Sequence, residues 1–357
     1  MRRVVARCCP TQTRAGVNMA AEILPTHSPH LFDLAVERAV QLLRDGEVVA
    51  LPTETVYGLA ANALNHNAVS RIFAIKGRPT HNPVIVHVAS LAMARHCVLD
   101  WPPLAGALAR GFWPGPLTLV LTRARKIPDV VTAGGPTVGI RWPSHPFVQA
   151  VIRSCEFPLA APSANLSNQL SPTTAEHVRK FLGDTIPLIV DGGQCQVGIE
   201  STVLDLSVSP PCLLRPGMIH AEALLAVTGE LASGSSAGSR LKSPGLLPKH
   251  YSPRAKLLML SWKDDADLHK KITHHPSHIT HHASRTYIVA HTHIPSAEGF
   301  GGISVIPHDA EAFARAIYAE LHRCDEVGAE LIVVEQLPEG QEWQGIRDRL
   351  ERAAQIE

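Results

Sequence analysis

Four cations stand where apolar runs give way to polar chain. Lys76 and Arg78 lie in "KGRP" at a helix-to-loop junction, Arg141 follows the strand-like "TVGI", and Arg215 follows "CLL". Delivered from different strand ends, they could converge on a polyphosphate. Arginine suits that role because its planar fork donates two hydrogen bonds to phosphate oxygens. Singly, each reads as a surface charge or an ion-pair partner. Short hydroxyl and amide side chains stand at similar junctions: Ser163, Asn165, Ser167, Asn168 and Ser171 in "PSANLSNQLSP", and Ser201 and Thr202 beside Glu200 in "GIESTV". Such groups bind phosphate, ribose or amino-acid functions, and they also form ordinary turns and caps. The stretch "VVALPTETVYGLAANAL" interrupts an apolar run with Pro52, Thr53, Glu54 and Thr55 before Tyr57 and Gly58. It is either a polar turn or a strand that ends in a pocket.

Other chemistries lack their signatures. There is no G-x-x-x-x-G-K-[ST], so a nucleotide would not be held by a P-loop, and no G-x-G-x-x-G follows a strand. H-E-x-x-H and G-x-S-x-G are also absent. The run "HHPSHITHH" offers five histidines in nine residues, but it lies in a polar stretch without a nearby cysteine and reads as a solvated loop. His87, inside "VIVHV", reads equally as a core histidine bonded to backbone.

The elements that must carry these residues follow from periodicity. Ser28-Pro29 is a helix start, and Leu31, Leu34, Ala35, Arg38, Ala39, Leu42 and Leu43 follow with helical spacing up to Gly46. The strand Val48–Leu51 comes next, then a helix from about Asn67 that ends in "KGRPTHNP". "VIVHV", "PLTLVLT" and "TVGIRWP" read as strands, Ser144-x-Pro146 opens a helix, and "FPLAAPSAN" is a strand entering a polar loop. Thr173-x-x-Glu176 reads as a capping box, and "IPLIVDGG", "STVLDLS" and "CLLRPG" as short strands. Helices and strands interleave, which predicts an α/β domain with helices covering a sheet. From Glu230 the chain turns rich in Ser, Gly and Pro, the composition of a linker. Beyond it four strand-like runs and two helical runs predict a smaller α/β domain. The expected divisions are an N-terminal tail (1–24), a first domain (25–229), a linker (230–254) and a second domain (255–357).

The totals exclude several classes. Hydrophobic residues make up 45% and charged residues 18% of 357, which fits a globular chain with a sizeable core and not a disordered one. A net charge of +1, with basic residues scattered, argues against phosphate-backbone binding as the main business. Seven cysteines, an odd number without a C-x-x-C pair, point to a reducing compartment and not to a disulfide framework. No apolar run approaches the roughly 20 residues needed to cross a bilayer, and the first 18 residues lack the apolar core of a secretory signal. The expected location is the cytoplasm, with no membrane partner.

Seven motifs in order over the first domain carry a resemblance: "LPTETVYGLAANAL", "KGRPTHNPVIVHV", "WPGPLTLVL", "VGIRWPSHP", "PLAAPSANLSNQLSPTTAEHV", "GIESTVLDL" and "LLRPG". The chain resembles the YrdC-like threonylcarbamoyl-AMP synthases, and "SPGLLPKHYSPRAKL" with the trailing domain looks like the family's long, two-domain form. The resemblance implies a twisted mixed sheet with helices around a basic concave site, plus a linker and a smaller Rossmann-like domain. It implies condensation of L-threonine, bicarbonate and ATP, with Mg²⁺, to threonylcarbamoyl-AMP and diphosphate. Partner transferase proteins would then pass the threonylcarbamoyl group to tRNA next to the anticodon, with at most weak tRNA binding by this chain.

The same resemblance assigns residues. Thr55, Tyr57, His87, Arg141 and Ser201 fall on the threonine side. Lys76, Arg78, Asn82, Thr137, Ser163, Asn165, Ser171 and Arg215 fall on the ATP side, with Lys76 and Arg78 as electrostatic catalysts. His250 and Tyr251 of the linker would close the site. The chain departs from the family at Pro248, where a longer side chain is usual, and at Val84, where Leu is common. A non-catalytic RNA-binding module is the alternative. A hydrogenase-maturation carbamoyltransferase would need an acylphosphatase-like region and cysteine-rich zinc motifs, which this chain lacks.

Overall fold

The computed structural model describes residues 20–234, 241–245, 251–275 and 282–354. His250, Pro248 and the centre of the histidine-rich run therefore lie outside the described residues. The first domain holds strands β1 (Glu22–Pro25), β2 (Val49–Leu51), β3 (Gly58–Asn62), β4 (Val86–His87), β5 (Leu117–Thr122) and β6 (Thr137–Arg141). They are followed by β7 (Leu159–Ala160), β8 (Leu188–Asp191), β9 (Thr202–Asp205), β10 (Cys212–Arg215) and β11 (Ala232–Ser233). Its helices are α1 (Pro29–Arg44), α2 (His66–Lys76), α3 (Leu91–Cys97), α4 (Pro103–Phe112), α5 (Asp129–Thr132), α6 (Pro146–Cys155), α7 (Ala175–Leu182) and α8 (Ala221–Thr228).

These strands form one mixed sheet in the order β1-β8-β2-β3-β7-β4-β6-β5-β9-β10-β11. β4 and β6 are parallel and place His87 beside Arg141, while β7 is antiparallel to both β3 and β4. β1 pairs with β8 from Glu22 onward, so the chain joins the sheet earlier than the expected tail boundary allows. One face is covered by α1 and α6, whose Ala35, Ala39, Leu43, Phe147 and Val151 pack on Val49, Leu51, Leu188 and Val190. Fully burying one such Leu is worth about 1.5–3 kcal/mol, so this face is held by many modest contributions. The other face packs Leu59, Val86, Leu119 and Ile140 against α2 and α4.

Local signals set the boundaries, sometimes one residue from the expected place. Ser28 caps α1, its hydroxyl accepting from Leu31 N at 3.3 Å, with Pro29 first in the helix. His145, and not Ser144, caps α6, its Nδ1 accepting from Phe147 N. Thr174, and not Thr173, caps α7, because the Thr173 hydroxyl turns inward to His177 while Glu176 pairs with Arg179.

The second domain contains β12 (Lys256–Leu260), α9 (Asp265–Thr273), β13 (Thr286–Ala290), β14 (Gly302–Val305), α10 (Ala310–Glu326), β15 (Leu331–Glu335) and α11 (Gln344–Ala354). Its four strands are all parallel, in the order β12-β15-β13-β14, the Rossmann-like arrangement. α9 was not among the expected helices: it buries only Leu268 and Ile272, too sparse an apolar stripe to read. One apolar cluster joins the two domains, with Val56, Leu170, Ile199 and Tyr251 packing among Phe313, Ile317, Ile346 and Leu350. The second domain is thus part of the wall behind the cleft.

Candidate active site

The cleft opens where β3, β4, β6, β9 and β10 end or begin, with the linker residues Pro244, Gly245 and Tyr251 lining it. The segment 52–57 leaves β2 as a tight polar turn. Thr53 donates to Val56 O at 2.6 Å, so its oxygen accepts from Thr55 Oγ1 at 3.0 Å and from Thr55 N at 3.2 Å. That chain of donation leaves the Thr55 oxygen as an acceptor toward the cleft, which both threonines line. The interrupted apolar run is therefore a strand that ends in a pocket.

Beside this turn, Arg141 Nη2 lies 2.7 Å from Glu54 Oε1, both side chains almost fully buried. The contact is ionic and poorly aligned: neither Glu54 oxygen nor Arg141 Nη2 has a hydrogen-bond partner. His87 Nδ1 is likewise buried without a partner. Burial and then the Arg141 charge push the His87 imidazole well below its ordinary pKa, so it is neutral near pH 7. A buried guanidinium with hydrogen-bonding capacity to spare, next to a neutral imidazole, suits a small ligand carrying a carboxylate.

Arg78 and Arg215 line the same cleft. Arg78 donates from Nε to Asn82 O (3.0 Å) and from Nη2 to Asn82 Oδ1 (2.8 Å) and Pro83 O (2.7 Å). All three bonds leave from Nε and Nη2, and the side chain lines the cleft. Burial first, relieved in part by Tyr251 and reinforced by Arg215, lowers its pKa to about 10, still charged at neutral pH. Arg215 donates to Ser201 O (3.1 Å), Ser201 Oγ (3.2 Å), Pro244 O (3.1 Å) and Tyr251 OH (3.4 Å). Among the described residues no carboxylate lies within ion-pair distance of Arg78 or Arg215, whereas Glu54 is paired with Arg141 and Glu200 with Arg349. The two guanidiniums without a carboxylate partner are the cleft's capacity for an anion.

The expected site residues divide by where their side chains go. Thr55, Arg78, His87, Arg141, Ser163, Ser201, Arg215 and Tyr251 line the cleft. Lys76, Asn82, Asn165, Ser171 and Tyr57 lie just behind it. Lys76 is buried, and its ammonium donates to Ser163 O at 2.6 Å, to Asn165 O, and to Asn165 Oδ1 at 3.1 Å. Burial and the Arg78 charge push that ammonium well down, against the pull of three acceptor oxygens. Asn82 supports Arg78, and Ser171 donates to Glu200 Oε1 at 2.5 Å. Tyr57 points away from the cleft, its hydroxyl donating to Gly193 O at 2.8 Å and accepting from Gly192 N. Thr137 sits at the start of β6, paired with Thr122, while Arg141 ends that strand. At about 3.3 Å per residue this is roughly 13 Å away, so β6 brings only Arg141 to the cleft.

Three contributors were given no individual role. Glu54 and Glu200 were visible in "PTET" and "GIEST", but nothing nearby in sequence named their cationic partners. Arg349 comes from the second domain, in "RDRLERAA", where no local signal separates it from a surface charge. Among the described residues no three of His, Cys, Asp and Glu are grouped to hold a metal ion, and no helix is long and apolar enough to cross a membrane.

Two family models together match most of the chain. The family described as "Telomere recombination" (Sua5/YciO/YrdC) matches residues 41–217, and the one described as "Threonylcarbamoyl-AMP synthase, C-terminal domain" matches 219–355. The threonylcarbamoyl-AMP synthase of Pyrococcus abyssi is 38% identical over 320 residues, covering 88% of this chain and 93% of that protein. That of Bacillus subtilis is 38% identical over 328 residues, covering 90% and 93%. The crystal structure of P. abyssi Sua5 complexed with L-threonine superposes with a TM-score of 0.84 at 34% identity, covering 94% of this chain and 98% of that one. The structure of a doubly alanine-substituted form of the same protein gives the same TM-score and identity. The chain is a Sua5/YciO/YrdC-fold protein with a linked Rossmann-like domain. It belongs to the threonylcarbamoyl-AMP synthase family.

Proposed function

We propose that this chain is an L-threonylcarbamoyladenylate synthase, joining L-threonine, bicarbonate and ATP with release of diphosphate. The observation that carries the reading is the division of cations in one cleft. Arg141 beside neutral His87 suits an amino-acid carboxylate, and Arg78 with Arg215, free of carboxylate partners, suits phosphates. Arg141 takes the threonine carboxylate, and Thr55 Oγ1 accepts from the threonine amine. The amine nitrogen bonds to the carbon of bicarbonate, with loss of water, to give a carbamate. One carbamate oxygen then bonds to the α-phosphorus of ATP while the α,β-bridging P–O bond breaks and its electron pair leaves on diphosphate. Arg78 and Arg215 offset the charge that builds on the phosphoryl oxygens, and orientation supplies much of the rest. Mg²⁺ enters as part of the nucleotide substrate and needs no protein carboxylate cage.

Lys76 acts one step back, fixing the 163–165 loop through its three hydrogen bonds. A carbamate decomposes in water, so the linker residues Pro244, Gly245 and Tyr251, which lie across the Arg215 side, have a use in excluding solvent. The product carries an activated carbamoyl group, and transferase proteins that modify tRNA would consume it. The unpaired cysteines Cys97, Cys155, Cys195, Cys212 and Cys324 fit a reducing setting such as the cytoplasm. Mass spectrometry with ¹³C-bicarbonate tests the reading: the threonine–AMP adduct should carry one labelled carbon, and an adduct without label contradicts it.

A further inference from the structure

Glu200 is a carboxylate in the wall of a cleft that has to receive phosphates. It lies beside Ser201, the residue Arg215 holds by both its carbonyl and its hydroxyl. Left to itself, this buried carboxylate would repel the nucleotide and draw Arg215 into an ion pair. Three contacts on the carboxylate prevent that, and a fourth holds the Glu200 backbone. Arg349 Nε donates to Glu200 Oε2 at 2.8 Å and Nη2 to Glu200 O at 3.3 Å, Tyr318 OH donates to Oε2 at 3.2 Å, and Ser171 takes the other oxygen. Arg349 and Tyr318 come from α11 and α10 of the second domain. A Cβ at Gly345 would lie 2.8 Å from Gly217 Cα, so α11 rests directly on the turn after β10, and Arg349 Nη1 reaches Pro216 O at 2.9 Å. The same guanidinium stands 5.3 Å from the ring centroid of linker Tyr251.

We propose that Arg349 is a positioning residue for nucleotide binding: it occupies Glu200 so that Arg215 stays available to phosphate. Arg349 does not line the cleft and touches no substrate. It acts through Glu200 and Arg215, and this gives the second domain a part in the reaction. Burial raises the Glu200 pKa, but the Arg349 and Arg215 charges and the Ser171 bond outweigh it, so the carboxyl stays ionised and requires such a partner. The inference rests on the proposed synthase activity and on Arg215 as a phosphate ligand.

The test is a charge cycle in the full-length protein, reading KM for ATP and for threonine separately. Arg349→Met should raise the ATP KM about tenfold or more, the scale of one charge-assisted hydrogen bond, and leave the threonine KM within about twofold. In a Glu200→Gln background the same substitution should change the ATP KM by less than about threefold, because the competing carboxylate is gone. An arginine that only supported the fold would give the same rise in both backgrounds, or raise both KM values together, and either result overturns the proposal. If Arg349→Met does not fold beside Glu200, the pair of proteins in the Glu200→Gln background still decides, since neither has an unpaired buried carboxylate. A rise above about threefold between Glu200→Gln and the double variant then overturns the proposal. A wild-type protein without synthase activity would instead count against the proposed function, so that assay is run first.

Discussion

Arg141 and Arg78 are both buried guanidiniums in one cleft, yet their bonding gives them different work. Arg141 has one poorly aligned ion contact with Glu54, and its fork is suited to a carboxylate. Arg141→Lys keeps the charge and loses the fork, so the threonine KM should rise roughly 10- to 100-fold with the ATP KM little changed. Titration calorimetry of the two ligands checks this, and an equal loss for both would remove the assignment. Arg78→Ala should lower turnover roughly 10²- to 10³-fold, the scale of removing one preorganised charge stabiliser, with the circular dichroism spectrum retained. Near-normal turnover would sink that role. At this scale the sequence was legible where a cation ends a strand, as at Arg141 and Arg215. It was less so where a residue sits in the right loop with its side chain turned back. Lys76 ends α2, and Tyr57, Asn82 and Ser171 share loops with cleft residues, but their polar atoms face the carbonyls, amide, guanidinium and carboxylate that hold those segments together. Side-chain direction depends on which backbone groups are left unsatisfied by the tertiary fold, and a motif does not encode that.

The linker and the contact between α7 and α10 act as elements. Gly245 has φ of +80°, and a Cβ there would lie 2.2 Å from the Tyr251 hydroxyl and 2.9 Å from Arg215 Nη1. Tyr251 itself has φ of +61°, a backbone state that costs a non-glycine residue on the order of 1 kcal/mol and persists only where its surroundings enforce it. Gly245→Ala should therefore displace Tyr251 and reduce turnover, and it should lower the melting temperature by a few degrees, since Tyr251 packs in the cluster that joins the domains. A fully active variant would show that the linker need not lie where it does.

Between the domains, His177 of α7 stacks on His322 of α10 with ring centroids 3.9 Å apart, and His322 Nε2 lies 3.1 Å from Ser171 O. Burial and then Lys180 lower His177 to about 4, and burial and then His177 lower His322 to about 3. The unfolded chain binds these protons first, so stability falls as pH drops below about 6.5 and continues to fall until about 4 and then 3. His322→Gln keeps a donor for Ser171 O and does not titrate. Its denaturant midpoint should fall less steeply than wild type across that window, and parallel slopes would contradict the account. Strands and long helices were legible from periodicity and caps. α9 was not, because it buries only two apolar side chains, and the exact caps of α6 and α7 were not, because each depends on a single side chain choosing between alternative partners.

For the whole molecule, the two-domain organisation was legible as a change in composition, while the intimacy of the domains was not. Val56, Leu170 and Ile199 read as ordinary apolar residues of the first domain, yet they pack among Phe313, Ile317 and Ile346 of the second. A chain ending at Gly229 would expose that cluster, strip Glu200 of Arg349 and Tyr318, and remove Tyr251. It should lose most turnover even where it remains folded, and undiminished turnover would refute any part for the second domain. The central claim is that one cleft holds an amino acid and a nucleotide for a single condensation. Diphosphate release from MgATP by the full-length protein, with threonine and bicarbonate omitted in turn, tests that most directly. Release that requires both substrates is the predicted result. ATP left untouched, or hydrolysed at the same rate without threonine, would contradict it.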